Sequence, residues 1–73
     1  MHFEMEIING DVMVLEPPSK NFKIVIHITT GEVLHCAFTD MTIHQFNKHV
    51  NHAKVRYQKF LNSKAVKGFM EEE

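Results

Sequence analysis

Apolar residues recur every three or four positions at Ile43, Phe46, Val50, Ala53, Tyr57, Phe60 and Leu61. That spacing keeps the side chains on one face of an α-helix and predicts a helix over 41–61. Thr42 and Gln45 have the form of a capping box, and Met41 before them is placed to staple onto Phe46. Asp40 competes as the N-cap. Asn62-Ser63 is one stop for this helix; the other lies near 67, with Gly68 as the C-terminal cap and 71–73 as a solvated acidic tail.

Ahead of the helix the period changes to two. Phe3, Met5 and Ile7 alternate with Glu4 and Glu6 in a first strand over 2–8. Asn9-Gly10 follows, and both residues accept the positive φ of a two-residue type I′ turn, so 11–16 should be the returning strand. That turn pairs Ile8 with Asp11, Ile7 with Val12 and Met5 with Val14. Pro17-Pro18 then ends the strand, since neither residue can donate to a ladder.

A second hairpin is expected from strands over 22–29 and 32–38. Phe22, Ile24, Ile26 and Ile28 alternate with Lys23, Val25, His27 and Thr29, and two registers compete at the turn. A two-residue loop would force the β-branched Thr30 to positive φ. A three-residue loop with Gly31 left-handed pairs Ile28 with Glu32, Ile26 with Leu34, Ile24 with Cys36 and Phe22 with Phe38, collecting the apolar side chains on one face.

These elements define an α+β fold, a four-stranded antiparallel meander of two hairpins packed on one long C-terminal α-helix. The inner sheet face should carry Phe3, Met5, Ile7, Val12, Val14, Ile24, Ile26, Leu34, Cys36 and Phe38. Met13, Leu15, Val25 and Val33 would remain on the outer face.

Composition adds a need for a partner. The chain reads as one small domain over 1–73, and a core of this size supplies only about 3–5 kcal/mol. A homodimer through the outer sheet face is therefore expected. Cys36 is the single cysteine, so no disulfide staples the fold. With an acid-bearing, alternating start unlike a secretion signal, that implies a cytoplasmic setting. No apolar run approaches the ~20 residues of a membrane span.

Charge is divided along the chain. Residues 1–40 hold six acids and two lysines, whereas residues 41–70 hold six basic residues and no acid. A solvent-facing helix ordinarily mixes signs, because Glu–Lys pairs one turn apart stabilise it by a few tenths of a kcal/mol. Here Lys48, His49, His52, Arg56 and Lys59 follow one another down one flank. Balance against the sheet's acids and the helix dipole explains this at its plainest. The sharper reading is an anion-binding face for an acidic protein surface or nucleic acid. An overall charge of −1 leans away from nonspecific DNA binding.

Six histidines open an alternative, a small-ligand or metal-binding role. His49 and His52 stand at i, i+3, and His27 and His35 are diagonal neighbours in the chosen register. No carboxylate or cysteine is spaced to complete a ligand set, so no metal site and no cofactor are assigned. Catalysis lacks a motif: there is no phosphate loop, no nucleophile elbow and no base near Cys36, and the chain is read as not an enzyme. In size and plan it resembles small inhibitors and accessory proteins of phages. That likeness is one of architecture alone; the charge layout is what leads to the expectation of a non-enzymatic binding module, with Lys48, His49, His52, Arg56 and Lys59 as the binding residues.

Overall fold

The computed structural model describes the backbone of residues 2–72 and the side chains of residues 2–63. Its elements are β1 (Glu4–Ile8), β2 (Val12–Glu16), β3 (Phe22–His27), β4 (Val33–Phe38) and α1 (Ile43–Glu72). The four strands form one antiparallel sheet in the order β1-β2-β3-β4, and α1 covers one face of it. The α+β plan read from the periodicity is the observed one.

The first hairpin departs from its expected register. Asn9 and Gly10 do take positive φ, 54° and 75°, and the Asp11 N–H donates to the Ile8 carbonyl at 3.2 Å. Asp11, however, stays in the turn and gives its own carbonyl to the Ile28 N–H at 2.9 Å. The ladder therefore starts at Ile8 with Val12 and continues through Ile7 with Met13 and Met5 with Leu15. A shift of one residue turns a strand over. Met13 and Leu15 lie in the core with no exposure, while Val12 and Val14, expected inside, occupy the open face. The inversion has a physical reason. Leu and Met each bring about one more methylene-sized group than Val, worth roughly 0.8 kcal/mol apiece when buried.

The second hairpin keeps its faces by a different device. Phe22 pairs with Phe38 and Ile24 with Cys36, as expected. Closer to the turn, Ile26 pairs with Val33 rather than Leu34, because a bulge sets two residues of β4 against one of β3. Leu34 is consequently 49% exposed and contributes little to the core. The turn runs over 28–31, one residue longer than expected, closed by the Gly31 N–H donating to the His27 carbonyl at 2.8 Å. Gly31 has φ 76°, and Tyr57 of the helix sits above it, its hydroxyl donating to the Ile28 carbonyl. A Cβ at Gly31 would lie 3.5 Å from the Tyr57 Oη.

The start of α1 is decided by Thr42. Its hydroxyl accepts the Gln45 N–H at 3.1 Å, and the Gln45 Oε1 accepts the Thr42 N–H at 3.0 Å, a reciprocal capping box. Asp40 has φ 54° and stands outside the helix, so it is not the cap. The C-terminal end lies at neither 61 nor 67. The helix runs to Glu72 through Gly68, since no proline follows and an internal glycine costs only about 1 kcal/mol. The side chains expected in the acidic tail at 71–73 lie outside the described residues.

The buried apolar residues are Phe3, Met13, Leu15, Phe22, Ile24, Ile26, Ile28 and Ala53. Phe46, Val50, Tyr57, Phe60 and Leu61 of the helix pack on them, but Ile43 is 65% exposed, lying beyond the packed part of the stripe. Phe22 is the centre of an aromatic group. Its ring lies 6.0 Å from Phe3, 5.9 Å from Phe46 and 5.2 Å from the His49 imidazole, and Phe46 stacks on Phe38 at 4.3 Å.

Candidate binding face on the helix flank

Ala53, the one fully buried residue of α1 among the described side chains, sets the orientation of the helix over the sheet. At 100° per residue, positions 48, 52, 56 and 59 then fall together in one arc centred about 100° round the helix from that contact. Lys48, His52, Arg56 and Lys59 are all exposed. His52, Arg56 and Lys59 line one shallow concavity of about 190 Å³, with Phe3 and Val55 as its apolar wall. Lys48 stands one turn before His52 on the same flank, outside that concavity.

His49 lies between this flank and the apolar stripe. Its ring packs against Phe22, half-buried, and its Nδ1–H donates to the Gln45 carbonyl at 2.8 Å. A carbonyl can only accept, so the proton sits on Nδ1 and the side chain is held against the aromatic group. Position 49 follows Phe46 by three and precedes Ala53 by four, spacing that carries it towards the apolar stripe. Phe3 and Val55 were the residues missed. Val55 follows His52 by three and precedes Lys59 by four, so an apolar residue among the flank's cations was visible in the helical spacing. Phe3 joins them only through the tertiary fold.

Among the described residues, the flank's cations have no neutralising partner close by. The ion pair among the described residues joins Lys20 to Glu16 at 3.6 Å, far from α1 in the chain. None of Lys48, Arg56 and Lys59 has a carboxylate within salt-bridge distance among the described residues. The sheet's acids thus offset the helix charge only at long range, where salt screens them.

The remaining chemistry is dispersed. His27 and His35 are diagonal neighbours on the open face, and the His27 Nδ1 accepts the Thr30 N–H at 3.4 Å. Among the described residues no group of three His, Cys, Asp or Glu is arranged to hold a metal ion. Burial pushes the Cys36 thiol up, favouring the protonated form that packs rather than the thiolate that attacks. The open face carries Ile8, Val12, Val14 and Val25, with Val12 and Val14 in place of the expected Met13 and Leu15. Among the described residues, no helix is long and apolar enough to cross a membrane.

No protein-family model, no curated protein and no solved structure matches the chain.

Proposed function

We propose that this chain is a small, non-enzymatic binding module that engages an acidic protein surface, in the manner of an inhibitor or accessory protein. Lys48, His52, Arg56 and Lys59 are the contact residues, and the setting is the reducing cytoplasm, where a lone, partly buried cysteine is undemanding. The observation that carries the reading is the concavity in which His52, Arg56 and Lys59 converge over Phe3 and Val55, with no carboxylate partner among the described residues. Cations beside an apolar wall suit a carboxylate on a hydrophobic side-chain background. A phosphate backbone would be served better by an uninterrupted basic stripe on a basic domain, and this chain carries −1.

Replacing Lys48, Arg56 and Lys59 together by Gln tests the proposal, since all three are exposed and none supports the core. The unmodified chain should bind a Glu-rich peptide more tightly than a duplex oligonucleotide of similar charge at low salt. The triple variant should keep its melting temperature and lose at least about tenfold in peptide affinity, with a shallower salt dependence. Equal peptide binding by both proteins would sink the proposal, and preference for the oligonucleotide would move it to nucleic acid.

A further inference from the structure

The two edges of the sheet are built differently. β1, with the sequence EMEII, places Glu4 and Glu6 on its edge. β4, with the sequence VLHCAF, holds no Lys, Arg, Asp, Glu or Pro, the residues that ordinarily blunt an edge. Four of the seven large apolar side chains exposed among the described residues gather at this second edge. They are Val33, Leu34 and Phe38 on the strand, and Ile43 one helical turn from the Phe46 that stacks on Phe38.

The backbone of β4 also has a direction. The Thr39 N–H donates to the Asn21 carbonyl at 2.9 Å, which marks that pair as hydrogen-bonded. Alternation makes Lys23 with Ala37 and Val25 with His35 the next bonded pairs. Cys36 and Phe38 therefore turn their N–H and C=O groups away from β3, towards the open edge.

We propose that β4 pairs antiparallel with β4 of a second copy, making a continuous eight-stranded sheet with both helices on the same face. Outward groups meet outward groups, and side-chain faces are preserved, when Cys36 lies on the two-fold axis opposite itself. That register sets Leu34 of each copy opposite Phe38 of the other, so the exposed apolar residues of the edge cover one another. With no charge on the strand, nothing in it repels its own copy. The contact is isologous and closes at two, because the edges left over are the β1 strands with their glutamates. The inference is independent of the anion-binding flank, which lies on the Phe3 side of the helix. It also moves the dimer contact away from the open face, where Glu4 and Glu6 stand beside Ile8, Val12, Val14 and Val25.

Light scattering on the native chain should give twice the 8.5 kDa chain mass. Leu34→Lys, at a half-exposed position, should give folded monomer by light scattering and circular dichroism. Cys36→Pro removes an N–H that β3 does not use, and it should also yield monomer. Val25→Glu, on the open face, should remain a dimer. If Cys36→Pro fails to fold, Leu34→Lys decides alone. A native monomer at several hundred micromolar, or a dimer that survives Leu34→Lys or is dissolved by Val25→Glu, would overturn the proposal.

Discussion

The two hairpins each carry one residue more than their expected ladders require, and they place it differently. In β1–β2 the extra residue, Asp11, stays in the turn, so every later side chain of β2 changes face. In β3–β4 the turn is again one residue longer than expected, but the bulge at Val33–Leu34 absorbs the offset, and Cys36 and Phe38 keep the expected face. The difference teaches where register is decided. A strand such as VMVLE, apolar at four consecutive positions, offers either face to the core and follows whichever buries more. A strand opposite Phe22 and Ile24 cannot turn over without exposing an aromatic pair, so the irregularity is forced into its end.

The largest effect tests the inverted strand. Leu15→Ala and Met13→Ala should each cost about 2–5 kcal/mol by urea denaturation, a large share of the stability of a small domain. Val12→Ala and Val14→Ala, on the open face, should cost less than about 1 kcal/mol each. Comparable losses at all four positions would mean that β2 does not hold this register.

A smaller effect separates the turns. Gly10 and Gly31 both have φ near 75°, so alanine at either should cost about 1–2 kcal/mol through the left-handed backbone. Only Gly31 lies under the helix, against Tyr57. Tyr57→Phe removes the donor to the Ile28 carbonyl and should cost about 0.5–1.5 kcal/mol. In double-mutant cycles it should couple to Gly31→Ala and be additive with Gly10→Ala. Coupling at both glycines would contradict a helix that braces one hairpin alone.

The smallest effect concerns Cys36. Burial raises its thiol pKa in the folded chain, so the folded state holds the proton more firmly than the unfolded one. The stability this contributes is complete below the unfolded thiol pKa and disappears as pH rises through the folded value. Native protein should therefore lose slightly more melting temperature than Cys36→Ala between neutral and strongly alkaline pH. Identical pH profiles would remove the thiol from the account.

Much of the site was legible because helical spacing is a local property. Lys48, His52, Arg56 and Lys59 share a flank by arithmetic, and the reciprocal bonds of Thr42 and Gln45 follow from neighbours three residues apart. The packing of His49 on Phe22 is not legible in the sequence, because an imidazole suits both water and an aromatic group, and only the fold brings Phe22 beside it.

The same division holds for the fold. By itself the sequence determined four strands, two hairpins, the capped start of the helix and the left-handed glycines, since turn chemistry, capping and periodicity act over a few residues. Tertiary structure decided which face of β2 is buried, where β4 bulges and which ring meets His49. It also decided that Phe3 completes the concavity on the helix flank. Those choices are differences in buried area and contact between segments distant in the chain. They emerge only when the sheet and the helix compete for the same core.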